Sequence, residues 1–237
     1  IDWKSTMNEF NGNGYTISNI TISTAIQKRA NIFYKLENGT IMNVNFTNIS
    51  LTNTNSSAKY IGIVGSMNGG YISEVEMNNI SVIGEAASST AAGALIGQII
   101  GGANYITYIK LTNDENQLLR VGNKYIGGIV GNIQTESGID NCQTYISYCI
   151  VKANIGDGKD SGGCVAGIVG RIKNDKKYYV LNVNNCYYQG TITSGGNYNA
   201  GIVGSIESGT GSYRLDSNFG DVVFVYCKGE TVVLDAK

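Results

Sequence analysis

The chain contains no histidine and no proline, and only 15% of its 237 residues are charged, with a net charge of −1. Without histidine, Ser-His-Asp and Cys-His catalytic arrangements cannot form, and the commonest general base is missing. Sparse, balanced charge offers no basic patch to neutralise phosphates, which argues against nucleic-acid binding. No apolar run reaches the roughly 18 residues of a membrane span, so we expect no membrane insertion.

Cysteine is also scarce, and all five cysteines lie in the second half of the chain: Cys142, Cys149, Cys164, Cys186 and Cys227. An odd number cannot pair completely within one chain, and no C-x-x-C motif occurs, so neither a disulfide scaffold nor a zinc knuckle is expected.

One short apolar strand bounded by glycine recurs along the chain. It appears as "YIGIVGSM" from Tyr60 and returns four times, closing on Gly65, Gly97, Gly131, Gly170 and Gly204. An earlier copy, "ANIFYKL" from Ala30, has Tyr34 in place of the closing glycine. A repeat of about 34 residues is typical of stacked supersecondary units. We interpret the glycines as structural, since they let the backbone turn and let coils approach closely.

The segments between the glycine strands decide which repeat architecture is present. Runs such as "TIMNVNFTNISL" from Thr40 alternate and are rich in β-branched residues, which indicates strands rather than helices. We therefore predict an all-β fold, a single right-handed parallel β-helix solenoid of about seven coils. It is expected to form one domain over residues 1–237, with the N-terminal segment and first coil at 1–29, the repeats at 30–212 and the C-terminal coil at 213–237.

Alignment of the repeats predicts which residues stack. Two apolar columns are expected inside the solenoid. The first is Ile17, Ile41, Ile72, Ile106, Ile139, Val183 and Leu215, and the second is Ile20, Val44, Val75, Ile109, Cys142, Cys186 and Asn218. Between them, Asn19, Asn43, Asn141 and Asn185 predict a corner, because asparagine tolerates the left-handed conformation; chance in an asparagine-rich chain is the alternative. Stacked Cys142 and Cys186 are expected to remain free thiols, with a disulfide as the alternative.

The repeats resemble a known family. The "GIVG" motifs at Gly62–Gly65, Gly128–Gly131, Gly167–Gly170 and Gly201–Gly204 resemble the GLUG repeats of large bacterial surface proteins. Such repeats occur in adhesins and in the N-terminal parts of IgA-directed metallopeptidases. The resemblance implies a β-helical scaffold at the cell surface. It does not carry over the peptidase activity, because the H-E-x-x-H zinc motif cannot be present without histidine.

Few residues offer chemistry. Asp157 and Asp160 lie on a glycine-rich loop and are weak calcium candidates, with a solvated loop as the alternative. Glu74 and Glu76 could act as paired carboxylates on sugars, but are interpreted as surface residues. Arg171 follows the fourth "GIVG" in a position otherwise held by Ser66, Gln98, Asn132 and Ser205. We expect this position to face solvent and Arg171→Ser to be nearly neutral. No catalytic residue, resident metal or cofactor is predicted.

Tyrosine and asparagine suggest surface contacts instead. Tyr178, Tyr179, Tyr187 and Tyr188 are a candidate platform for glycan or protein, with ordinary packing inside the solenoid as the alternative. Six sequons place candidate N-glycosylation sites at Asn19, Asn38, Asn45, Asn48, Asn55 and Asn79.

Three functions follow from these patterns. The first is a non-catalytic structural or adhesive module, extracellular or at the cell surface, that contacts a host or cell-surface glycan or protein. The second is a filament subunit, because the strand-forming C-terminus predicts an open sheet edge that pairs with a following domain or with another copy, end to end. The third is a carbohydrate-binding or carbohydrate-active β-helix.

Overall fold

A computed structural model describes residues 9–84, 91–117, 119–122, 125–136, 139, 141–156, 163–173, 178–193, 198–207, 212–216, 224–227 and 232–235. These residues form a β-solenoid of about five turns with no helix. Its strands are β1 (Glu9–Asn11), β2 (Thr16–Thr24), β3 (Arg29–Asn53), β4 (Tyr60–Gly84), β5 (Ala91–Gly93), β6 (Ile96–Thr112), β7 (Leu119–Val121), β8 (Tyr125–Gly127), β9 (Val130–Gln134), β10 (Asn141–Ser147), β11 (Ile150–Lys152), β12 (Cys164–Ala166), β13 (Val169–Lys173), β14 (Tyr178–Asn184), β15 (Tyr187–Gln189), β16 (Tyr198–Ala200), β17 (Val203–Glu207), β18 (Ser212–Asp216), β19 (Phe224–Cys227) and β20 (Val232–Asp235).

Every pairing between these strands is parallel and joins one turn to the next. The predicted parallel β-solenoid is therefore confirmed, although seven coils were too many. Strands β3, β4, β5–β7, β8–β11 and β12–β15 each make one turn. In the described residues, β1–β2 before them, and β16–β18 and then β19–β20 after them, each cover only part of a turn. Those incomplete ends account for the overestimate. No helix long and apolar enough to cross a bilayer occurs within the described ranges.

The core is a set of continuous apolar columns. Ile41 pairs with Ile72, Ile72 with Ile106, and Ile106 with Ile146, and all four side chains are buried. Strand "GIVG" adds a second column of buried valines and isoleucine, which consists of Val64, Ile96, Val130, Val169 and Val203. Identical apolar positions thus stack along the whole solenoid, and the area they remove from water is the main source of its stability.

The first predicted column is wrong at two positions. Phe10, rather than Ile17, pairs with Ile41, because the chain turns between β1 and β2. Ile146, rather than Ile139, occupies the column in the β8–β11 turn, since residues between β9 and β10 form an insertion that includes Ile139. The repeat between Gly131 and Gly170 is the longest, and the sequence alignment placed its extra residues after β10 instead of before it. The predicted register of β10 was therefore shifted.

The second predicted column contains a related error. Ser147 pairs with Thr107 and Ile150 with Lys110, which puts Cys149, not Cys142, in register with Ile109. Ile20 pairs with Ile49 and belongs to a different column. Asn218 lies outside the described residues. Cys149 and Cys186 are therefore the cysteines that stack.

Corners of the solenoid are marked by positive φ. One corner runs through Asn43, Glu74, Tyr108, Tyr148 and Asn185, with φ from 50° to 54°. The corner predicted at Asn43 and Asn185 is thus present, but Asn141 lies in β10 and is not part of it. The left-handed conformation is unfavourable for most side chains, so its retention by tyrosine and glutamate shows that stacking overrides local preference.

Asn19 belongs to a second corner. It stacks with Asn48 and Asn79, and their φ values are 59°, 55° and 58°. The Asn48 amide nitrogen donates to Asn19 Oδ1 at 3.0 Å, and that of Asn79 donates to Asn48 Oδ1 at 3.1 Å. The asparagines thus form a hydrogen-bonded amide ladder along this corner.

Candidate functional site

The glycine-bounded segment of a turn bends sharply between two short strands, for example between β8 and β9. The main chains on the two sides of this bend, which we call its arms, lie close together. A Cβ on Gly131 would lie 2.5–2.6 Å from the backbone of Ala92, and one on Gly170 would lie 2.6 Å from the carbonyl oxygens of Gly131 and Ile126. No side chain fits at these positions, because the neighbouring atoms belong to the main chain and cannot rotate away. The close approach also covers the residues that follow the bend.

Those residues form what we call the polar column: Ser66, Gln98, Asn132, Arg171 and Ser205. Each is buried, and Arg171 is only 6% exposed. The expectation that this column faces solvent is therefore wrong. Tyr125, which lies before the bend of the preceding turn, packs against Arg171 of this column.

Arg171 is the centre of a hydrogen-bond network. Its guanidinium donates to Asn132 Oδ1 at 3.0 Å, to Gln134 Oε1 at 2.6 Å and to the Tyr125 hydroxyl at 2.5 Å. It also forms an ion pair of 3.4 Å with Glu207 and lies 3.5 Å above the Tyr125 ring. A buried guanidinium is tolerated only when its charge and donors are matched in this way. The network joins three consecutive turns.

The tyrosines beside the polar column stay protonated. Burial raises the pKa of Tyr125 above its ordinary value, against the opposing effect of Arg171. Burial, followed by the charge of Glu136, likewise raises the pKa of Tyr60. Neither phenol is poised to act as a base at neutral pH, since a raised pKa favours the neutral form. The arrangement stabilises the bend and joins the turns.

Surface tyrosines, of which Tyr71, Tyr108 and Tyr148 are exposed and Tyr105 and Tyr145 half-buried, form two stacked rows, which we call the tyrosine ladders. In one, Tyr105 stacks between Tyr71 and Tyr145 with ring centroids 4.6 and 5.0 Å apart, and in the other Tyr108 stacks on Tyr148 at 5.1 Å. The rings are within 9° of parallel. The sequence pointed to Tyr145 and Tyr148 as neighbours of the predicted tyrosine platform, but their stacking with Tyr105 and Tyr108 was not predicted, although "YITYI" from Tyr105 and "YISYC" from Tyr145 repeat the same spacing.

The tyrosines of the predicted platform differ in how far they are exposed. Tyr188 is only 3% exposed and donates to the Ala153 carbonyl at 3.2 Å, so it cannot contribute to an exposed platform. Tyr187 is 36% exposed and remains a candidate. Tyr178 and Tyr179 begin β14, but their side chains lie outside the described part of the chain.

The other predicted sites have mixed outcomes. Asp157 and Asp160 lie outside the described residues, among which no group of three or more potential metal ligands occurs. Of the sequon asparagines, Asn19, Asn48 and Asn79 form the amide ladder. The side-chain amides of Asn45 and Asn55 donate to backbone carbonyls at 3.2 and 2.6 Å. Asn38 lies at a corner with a φ of 50°.

The described cysteines, Cys142, Cys149, Cys164 and Cys186, are buried free thiols. Burial raises the pKa of Cys149 well above its ordinary value of 9.0, and hydrogen bonding to neighbouring Cys186 adds to the rise. A buried thiol with a raised pKa is unreactive, because the thiolate is the nucleophile. The Cys149–Cys186 pair therefore packs as two small apolar groups.

Replacing Arg171 with serine should destabilise the chain, contrary to the expectation from its alignment. The substitution removes a half-buried ion pair with Glu207 and leaves the side-chain oxygens of Asn132 and Gln134 without their guanidinium donor, at a cost of about 2–4 kcal/mol. Denaturant unfolding measures this loss. Lys152→Ser, at an exposed position, is the control. Equal unfolding free energies for Arg171→Ser and the unmodified protein would contradict the network.

The raised pKa of Cys149 predicts a dependence of stability on pH. Above pH 9.0 the unfolded thiol ionises while the folded one keeps its proton, so the folded state is favoured below this pH and loses stability above it. The decline approaches about 1.4 kcal/mol per pH unit. Unfolding free energies of the unmodified protein and of Cys149→Ala, measured from about pH 7 to about pH 10.5, should therefore converge in the alkaline range. A constant difference would contradict the assignment. Thiol counting after unfolding without reductant should give five thiols.

Comparisons of the chain with protein-family models, with curated proteins and with solved structures found no match. Any function proposed for the chain therefore has to be supported by its own side chains and by the fold that they form.

Proposed function

We propose that this chain is a rigid, non-catalytic β-solenoid module of a secreted or cell-surface protein, and that it acts as a stalk with an adhesive surface. The observation that carries the proposal is the pair of tyrosine ladders, which display large polar-tipped side chains in fixed positions on a surface with little charge. The likeness of the "GIVG" repeats to GLUG repeats of bacterial surface proteins supports the same function.

Rigidity follows from the pairing of the turns. Strand β3 pairs with β4 along nearly its whole length, and β4 pairs in turn with β5, β6 and β7 of the next turn. Each turn is therefore held to the next by main-chain hydrogen bonds and by stacked side chains, and the Arg171 network adds ties between turns. Such a solenoid suits the mechanical task of holding a binding surface away from its point of attachment.

The tyrosine ladders suit adhesion for an energetic reason. A tyrosine buries a large area and donates a hydrogen bond, and contact with it costs little entropy when stacking already restricts the ring. Tyr71, Tyr108 and Tyr148 are at least half exposed. Because stacked rings cover one another's faces, the ladders present mainly ring edges and hydroxyls. Protein and polar glycan surfaces suit such edges better than a sugar ring that must lie flat on an aromatic face.

The adhesive proposal predicts the effect of removing tyrosines from the ladders. Cells that display the chain on their surface should be retained on immobilised matrix proteins or glycans. Replacing Tyr105, Tyr145, Tyr108 and Tyr148 together with serine should reduce retention by about fivefold or more, since truncation of interface tyrosines typically costs over 1 kcal/mol. Flow-chamber counts of attached cells measure this effect, with display levels matched by antibody staining.

Tyr15→Ser is the matched control, because Tyr15 is 77% exposed and belongs to neither ladder. Its retention should equal that of the unmodified chain. The adhesive function is contradicted if displaying cells attach no better than cells without the chain, or if loss of Tyr15 reduces attachment as strongly as loss of the ladders.

A second candidate function, a filament subunit, is favoured by the terminal strands. Among the described strands, β1 and β2 pair only with β3, while β19 pairs only with β17 and β20 only with β18. Phe10 of β1 and Leu234 of β20 also stand in the same column, through Ile41 at one end and Leu215 at the other. A second copy translated along the axis can therefore continue the parallel pairing from β20 to β1, head to tail.

Proline at the outer edge of β1 should block such a filament. Gly12 donates its N–H to Met42 of β3, so alternation turns the N–H of Glu9 away from β3 and toward an incoming strand. Glu9→Pro removes this donor, whereas Glu9→Gln keeps it and removes only the charge. Sedimentation velocity at rising concentration should show head-to-tail oligomers for the unmodified protein and Glu9→Gln, but not for Glu9→Pro. If the unmodified chain stays monomeric at every concentration, the filament function is eliminated.

A further inference from the structure

A cavity of about 610 Å³ lies at the first full turn, where β3 begins and the loop before β4 ends. Its lining includes Gln27, Lys28, Arg29, Asn31, Tyr34 and Lys59. This volume is within the range of sites that enclose one small molecule. The cavity lies at the degenerate copy of the glycine motif, and its residues take no part in the tyrosine ladders.

Two lysines at this cavity lack acidic partners. The backbone N–H of Lys59 donates to the Lys28 carbonyl at 2.8 Å, so the two residues stack in adjacent turns. Neither side chain forms an ion pair within the described part of the chain, where Lys35 pairs with Glu37 and Lys110 with Glu76. Stacked like charges repel one another and destabilise the fold unless an anion lies between or beside them. Their position beside a cavity therefore favours an anionic ligand.

Arg29 adds a third cation that is held in place. Its guanidinium carbon lies 4.2 Å from the Tyr34 ring centroid and 4.8 Å from that of Tyr60. One of its nitrogens donates to Ser66 Oγ at 3.4 Å. The described residues give it no carboxylate partner. A guanidinium fixed by two rings loses little side-chain entropy when it binds a carboxylate.

Asn31 fixes one wall of the cavity. Its amide nitrogen donates to the carbonyls of Tyr60 and Gly62 at 3.2 and 3.1 Å, which fixes the orientation of the amide. Its Oδ1 is inaccessible to solvent and lies against Gly65 of the next turn, where a Cβ would be only 2.5 Å away. This oxygen is therefore not available to a ligand, and Asn31 serves to hold the cavity wall in place.

We propose that this cavity binds the acidic sugar unit of a glycan, with its carboxylate at Lys28, Lys59 and Arg29 and its hydroxyls toward Gln27 and Tyr34. The three cations explain the requirement for a carboxylate. The amide of Gln27 and the phenol of Tyr34, which both line the cavity, suit a polyhydroxylated ligand. Ile26 is the one aliphatic residue of the lining, so an apolar ligand would gain little burial there.

Titration with glucuronate, followed by nuclear magnetic resonance of the backbone amides, tests the site. A ligand of about 13 non-hydrogen atoms at about 0.3 kcal/mol per atom should bind with a dissociation constant on the order of 1 mM. The shifted amides should cluster at residues 26–34 and 59–66. Glucose, which lacks the carboxylate, and acetate, which lacks the hydroxyls, should each bind at least about tenfold more weakly, equivalent to about 1.4 kcal/mol.

Variants separate the site from general charge effects. Lys28→Gln combined with Lys59→Gln should weaken glucuronate binding about tenfold or more while the melting temperature stays unchanged or rises, since both residues are exposed and repel each other. Lys110→Gln removes an exposed lysine elsewhere and should leave binding unchanged. The inference is overturned if glucuronate causes no shifts at this cavity, if glucose or acetate binds equally well, or if Lys110→Gln weakens binding as much as the double variant. These results are independent of cell attachment through the tyrosine ladders.

Discussion

In-register parallel pairing between successive turns is the constraint on which the rest of this structure depends. It places the same position of every turn directly above its counterpart, at about the 4.8 Å spacing of paired strands. Residues that gain from contact with their own kind are favoured there, and like charges are not. Isoleucine and valine therefore fill the inner columns, asparagine forms the amide ladder, and tyrosine forms the outer ladders. The low charge of the chain is a consequence of the same pairing.

The sharp glycine bend adds a second constraint, because it covers the polar column that follows it. Gln98 and Asn132 are neutral and are buried there with side-chain hydrogen bonds, whereas Ser205 is small enough to be buried although its hydroxyl has no hydrogen-bond partner. Arg171 is accommodated only because Gln134, Glu207 and Tyr125 lie around it. The position therefore tolerates different residues only together with their neighbours in the adjoining turns.

The side chains that are free to contact other molecules consequently lie outside the stacked interior. The inner side chains are committed to their neighbours in the next turn, whereas the tyrosine ladders reach solvent. The first full turn departs from the repeat, with Asn31 in register with Gly62 and Tyr34 in place of the closing glycine. In this turn the side chains of Asn31 and Tyr34 take the positions that Gly62 and Gly65 hold in the next turn, and the cationic cavity lies beside them. The proposed binding site thus lies where other residues replace the glycines that would otherwise close the bend.

The sequence by itself determined the parallel all-β solenoid, the apolar columns at Ile41, Ile72 and Ile106, and the corner at Asn43 and Asn185, because periodicity and local backbone preference are properties of neighbouring residues. Only the tertiary structure decided that Ile146 replaces Ile139 and that Cys149, not Cys142, stacks with Cys186. An insertion can lie on either side of a strand, and only long-range pairing selects which. The burial of Arg171 was likewise beyond the sequence, since alternation of inward and outward residues is broken at the glycine bend, and the arm that covers the guanidinium belongs to the preceding turn.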